Sequence, residues 1–187
     1  MIEIQRRKLH FEFPGIHKKA HLDIEFERTF RVPDDNKRYS LPPTFGAFPL
    51  KHVEDYTNKL PSKWKDRGGV FLPMYQSEAL WINFSSKFPC AIKIASGKIN
   101  AVSGESWNHR LSRYPQNYVV VPEQPWIDGF NVSKDQVRQF TAMPLGKGYS
   151  AEEQITGVAE FGGIQILAFP MKKYLTKRFF KPEADRY

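Results

Sequence analysis

Leu9-His10-Phe11-Glu12-Phe13 alternates apolar and polar positions, and so does His21-Leu22-Asp23-Ile24-Glu25-Phe26-Glu27, where Leu22, Ile24 and Phe26 share one side. A period of two belongs to a strand with one buried and one wet face, so these runs, joined across the Pro14-Gly15 turn, predict neighbouring antiparallel strands. Ala79-Leu80-Trp81-Ile82-Asn83-Phe84, Tyr118-Val119-Val120-Val121, Val137 to Met143 and Ile164-Gln165-Ile166-Leu167-Ala168-Phe169 read as further strands, the second of them buried on both faces or nearly so. Gly68-Gly69 opens another apolar run, Val70 to Tyr75. The clearest hairpin runs from Ala91-Ile92-Lys93-Ile94 through Ala95-Ser96-Gly97-Lys98 to Ile99-Asn100-Ala101-Val102, with Gly97 supplying the positive φ that a tight turn requires. Pro33 to Pro49 reads as irregular chain laid on the core, and Val53 to Lys65 as a helix or two turns interrupted by Pro61.

Short strands at this spacing, with little helix, predict an all-β fold: an antiparallel β-sandwich or barrel over residues 1–170. Residues 171–187 read as a basic C-terminal docking segment. On a short helix there, Met171, Tyr174, Leu175 and Phe179 would form an apolar stripe, interrupted by Arg178.

Composition sharpens this picture. Fifteen Phe, eight Tyr and four Trp favour pleated surfaces over helices, and fourteen Pro with twelve Gly break the chain into short elements. Cys90 is the only cysteine, which rules out an intrachain disulfide. The first seven residues do not read as a signal peptide, and no apolar run approaches a membrane span, so a cytoplasmic location is the expectation. The formal charge of +8 sits on the two ends, leaving the body about neutral. A nucleic-acid reader is expected to carry its positive stripe on the folded scaffold, so nucleic-acid binding through the basic ends ranks third among the functional readings.

Chemistry is sparse. His10, His17 and His21, followed by Asp23 and Glu25, lack any spacing that forces convergence on a metal, and they read as surface histidines; the expected metal is none. Gly146-Lys147-Gly148 lacks the order of a phosphate-binding loop, and no helix is expected after it, so no cofactor is implied. His109 with Ser103 or Ser106 lacks a nucleophile elbow. Glu78, Glu105 and Asp128 each lie near a tryptophan (Trp81, Trp107 and Trp126), the surroundings in which one carboxyl of a sugar-processing pair is kept protonated. The plainer reading is an Asp that orders a turn and Glu residues at strand ends. Arg138 and Gln139 lie amid apolar residues, so one is expected to point inward and pin the Trp126 loop through Asp128 or Glu123.

Several blocks together carry a family likeness: Gly68 to Gln76 followed by Glu78-Ala79-Leu80-Trp81; Gln124-Pro125-Trp126-Ile127-Asp128-Gly129; and Arg138-Gln139-Phe140-Thr141-Ala142-Met143-Pro144-Leu145-Gly146 continuing through Gly148-Tyr149. The chain resembles, over roughly residues 20–170, a family of uncharacterised bacterial and fungal proteins. The resemblance implies a shared fold and no chemistry.

The functional expectation is a non-enzymatic binding or self-assembly module, a homo-oligomer with Trp126, Asp128, Arg138, Gln139, Tyr174 and Phe179 as binding residues. The alternative is an enzyme acting on a small molecule or glycan through Asp128, Glu78 or Glu105.

Overall fold

The computed structural model describes residues 1–33, 35, 37, 39–133 and 136–179. β1 (Ile2–Gln5) and β2 (Lys8–Glu12) form a hairpin turned at Arg6, so the basic N-terminal residues, read from sequence as a charged tail, are the first strand pair. β3 (His21–Thr29) lies on β2 in the register Leu9↔Ile24 and Phe11↔Leu22, with the alternation of both strands turning those side chains into the core. β4 (Thr44–Ala47) continues along β3. β5 (Lys51–His52) pairs with β6 (Val70–Phe71), and between them lie a single 3-10 turn at Glu54–Tyr56 and α1 (Ser62–Arg67), split by Pro61. The apolar run after Gly69 therefore yields only two strand residues.

β7 (Ala79–Ser85) is the centre of the large sheet, bonded to β3 along its whole length. β8 (Cys90–Ser96) turns at Gly97-Lys98 into β9 (Ile99–Asn100), and both turn residues have positive φ. That is the mirror-image turn whose twist matches a hairpin. β10 (Val119–Val121) joins β8; β11 (Trp126–Ile127) and β13 (Gln136–Thr141) join β7; β12 (Gly129–Ser133) joins β13. α2 (Ala151–Thr156) precedes β14 (Ile164–Pro170), which pairs with β8 over seven residues, and α3 (Lys173–Phe179) follows.

Among the described residues these strands make antiparallel sheets of eight and four strands plus the β5–β6 pair. The sheets are open, so the chain is all-β with minor helix and not a closed barrel. One core joins them: Leu22, Ile24, Phe26, Ile82 and Phe84 from the large sheet meet Cys90, Ile92, Ile94, Val119 and Val121 from the small one. Among the described residues no helix is long and apolar enough to cross a membrane.

Candidate functional site

The three carboxylates of the enzymatic reading have separate surroundings. Glu78, just before β7, pairs its Oε1 with Arg28 Nε at 3.2 Å, and its Oε2 accepts the Tyr75 backbone N–H at 2.8 Å. Arg28 in turn lies over the Phe48 ring, 4.5 Å from its centre. Glu105 is exposed on the loop after β9, in the other sheet. Asp128 is half-buried between β11 and β12, a stretch that sequence reading took for a loop.

Gln139 does pin a segment, but a different one from that expected. Its side-chain amide donates to the Phe30 carbonyl at 2.9 Å and accepts the Val32 N–H at 3.0 Å, which fastens the chain leaving β3 to β13. Arg138 is half-buried, its backbone paired with Phe130. The clamp bears on what Phe30 displays. Phe30 is 59% exposed and meets Phe45, 55% exposed, edge-on with ring centres 4.4 Å apart. Tyr39 and Trp126 are exposed as well. No sequence signal marks Phe30; the stretch from Pro33 to Pro49, expected to lay its aromatics on the core, does so with Phe48 but leaves Phe45 exposed on β4.

His10 and His21 share the wet side of β2 and β3, as alternation requires, whereas His17 lies between the two strands with its ring stacked on Phe88, centres 5.2 Å apart. The Asp23 carboxylate can only accept, so His10 Nδ1 carries the proton of their 2.6 Å bond, leaving Nε2 3.6 Å from Glu12 Oε1. His21 Nδ1–H donates to the Lys19 carbonyl, and its ring lies 5.5 Å from that of His10. With Lys18 and Lys19 they line a half-open cleft of about 130 Å³. That is well short of the roughly 300–1,000 Å³ typical of small-molecule sites. Among the described residues no group of three or more His, Cys, Asp or Glu side chains is arranged to hold a metal ion.

At Gly146-Lys147-Gly148 a helix does follow, contrary to expectation, because Ser150 and Glu153 form a capping box at the start of α2. Glu153 takes the N–H groups that an anion would need: Oε1 accepts from Gly148 and Oε2 from Ser150. The Ser150 hydroxyl bond, followed by the Gly148 amide, holds its carboxyl below the usual range. Two buried polar residues went unnoticed in the sequence. Glu152 accepts the backbone N–H groups of Glu160, Phe161 and Gly162, at distances from 2.7 to 3.1 Å. Lys93, fully buried on β8, donates to the carbonyls of Asn108 and Arg110 and to Asn108 Oδ1. Burial holds its pKa below that of an ordinary lysine, an effect opposed by the charge of Glu105. Cys90 packs in the core, and burial pushes its thiol up to about 11.

In α3, Tyr174 is 69% exposed while Leu175 is half-buried and Thr176 buried, so the helix turns Thr176 inward instead of Tyr174. Phe179 ends α3; its side chain and the rest of the expected docking segment, residues 180–187, lie outside the described residues.

No protein-family model, no curated protein and no solved structure matches the chain.

Proposed function

We propose that this chain is a non-enzymatic module that works by binding, and by associating with further copies of itself, through displayed aromatic side chains; a cytoplasmic setting fits its lone, buried cysteine. The observation that carries this reading is the Phe30–Phe45 pair, two largely exposed rings in edge-to-face contact. The Gln139 amide fixes the backbone beside Phe30, and pairing with β3 holds the strand that carries Phe45. Exposed aromatics held rigidly lose little entropy on binding and are the usual anchors of recognition surfaces. The carboxylate-enzyme reading draws less support, since Glu78 is occupied by Arg28 and the Tyr75 amide, and Glu105 stands on the other sheet.

Light scattering and thermal melting of the wild type and of the Phe30→Ser/Phe45→Ser double variant test the reading. The expected result is a concentration-dependent mass above the 21.8 kDa subunit for the wild type, and a lower mass at unchanged melting temperature in the variant. A wild type that stays at subunit mass overturns self-assembly. A variant that melts well below wild type overturns the surface role, because the pair would then belong to the fold.

A further inference from the structure

A sheet edge is an unfinished ladder, and four features usually blunt it: shortness, charge, a bulge, or cover from another segment. Three outer edges here have such protection. β1 is four residues long and runs into Arg6 and Arg7. β12 shifts register between Asn131 and Ser133, and its outer side is taken where Asn131 N–H donates to the Ala101 carbonyl. β10 has three residues, and the Val120 carbonyl accepts the Gln124 N–H.

β14 lacks all four. It has seven residues, Ile-Gln-Ile-Leu-Ala-Phe-Pro, with no charge and no break in its register against β8. Among the described residues no strand pairs with its other side. Every residue in it is half-buried, with Ile164, Ile166 and Ala168 lying on the core. The direction of its free backbone groups follows from the bonds at its two ends, Gly97 N–H to Gly163 C=O and Met171 N–H to Pro89 C=O. Hydrogen-bonded pairs alternate along an antiparallel ladder, so the odd-numbered residues bond to β8. Ile164, Ile166 and Ala168 therefore turn their N–H and C=O groups to the open edge.

We infer that a second copy of this chain completes the edge, β14 pairing antiparallel with β14 about a two-fold axis at Leu167. The inference rests on the self-assembly half of the reading above but uses a different surface. The register is self-complementary. Ile166 of one copy exchanges bonds with Ala168 of the other, and Ile164 N–H meets the carbonyl of Pro170, whose missing N–H forgoes one bond, to the Ile164 carbonyl, at each end of the ladder. Charge agrees with it: exposed Glu160 precedes the strand and exposed Lys172 and Lys173 follow it, so antiparallel pairing brings the acidic end of one copy toward the basic end of the other. A parallel arrangement would set like charges side by side.

The axis places Leu167 opposite its own symmetry mate in a non-hydrogen-bonded pair, where Cα atoms sit about 4.5 Å apart, within disulfide range. Leu167→Cys is the direct test on the full chain, because Cys90 is buried and the introduced thiol is the accessible one. With a copper–phenanthroline oxidant accepting the two electrons, Leu167→Cys should convert to a covalent dimer on non-reducing gels. Phe169→Cys, off the axis, should not. Leu167→Glu sets two carboxylates together in the dimer while facing Lys93 within its own sheet, and it should halve the mass seen by light scattering without lowering the melting temperature. If Leu167→Cys fails to crosslink, or if Phe169→Cys crosslinks equally well, the axis is wrong. If Leu167→Glu keeps the wild-type mass while Phe30→Ser/Phe45→Ser becomes monomeric, the β14 interface is overturned and the aromatic reading stands. Monomeric wild type overturns both.

Discussion

Gly97 and Glu152 are in such close apposition that a Cβ built on Gly97 would lie 2.6 Å from Glu152 Cβ and 2.8 Å from its Oε2. Gly97 also has a φ of +56°, so the hairpin tip needs glycine twice, once for its turn and once for its neighbour. Glu152 cannot yield, since its carboxylate is held by three backbone amides. Gly97→Val should cost more than the roughly 1–2 kcal/mol of placing a side-chain-bearing residue at positive φ, reaching about 3 kcal/mol once the contact is included. Urea titration would measure it, and a loss under about 1 kcal/mol would contradict the packing.

Glu152 itself should be among the costlier polar residues to replace. Its carboxylate is acceptor-only and matches the three donors facing it, whereas Glu152→Gln turns an amide NH2 toward them. The expected loss is about 2–4 kcal/mol, larger than for Glu153→Gln on the same helix. Equal losses at the two positions would show that the buried arrangement contributes nothing special.

Much of this fold is legible in period and punctuation. The alternation of Leu9 to Phe13 and His21 to Glu27 gives both strands and the side they bury, and Gly97 marks its turn. What escaped has physical reasons. Trp126-Ile127 and Gly129–Ser133 are too short and too mixed to show a period, and they become strands because β7 and β13 offer ladders. α2 is six residues, too brief for an amphipathic stripe, although Ser150-x-x-Glu153 spells out its cap. The site was harder still. Gln139 was singled out as a polar residue on a core strand, but its partners lie more than a hundred positions away, beyond the reach of local pattern. The aromatic pair it supports comes together only because β4 returns along β3.

Glu153 gives a prediction about acid. Its folded pKa is lowered by the Ser150 hydroxyl and then the Gly148 amide. A carboxyl depressed in the folded state contributes stability that is fully present above its unfolded value near 4.3 and is lost as pH falls through the folded one. Wild type should therefore lose stability relative to Glu153→Gln as pH drops below about 4.3. Melting temperatures of the two proteins from neutral to strongly acid pH would show their difference shrinking; a constant difference would contradict the sign.

Lys93 tests what a buried cation does when, among the described residues, its ammonium bonds to amide and backbone oxygens instead of to a carboxylate. Its three ammonium protons meet the Asn108 carbonyl at 2.7 Å, Asn108 Oδ1 at 3.0 Å and the Arg110 carbonyl at 2.6 Å, and the Trp107 ring lies 5.3 Å away. Each acceptor belongs to the loop that folds over the outer face of β8, so the lysine anchors that loop to the sheet. The same loop is tied internally, Ser112 N–H to Asn117 Oδ1 and Asn117 Nδ2 to the Arg110 carbonyl, so freeing its Arg110 end should loosen the whole turn. Lys93→Met keeps the stem's bulk and removes the donors together with the cost of burying the charge. Those two effects oppose each other, so global stability should move by less than about 2 kcal/mol. Local protection has no such compensation, because it depends on the loop staying down. Amide exchange at Arg110 and Ser112 should quicken by about tenfold or more, while Ile92 and Ile94 keep their wild-type rates. If the loop amides exchange as slowly in Lys93→Met as in wild type, the anchor lies elsewhere, and Trp107 packing would be the contact to remove next.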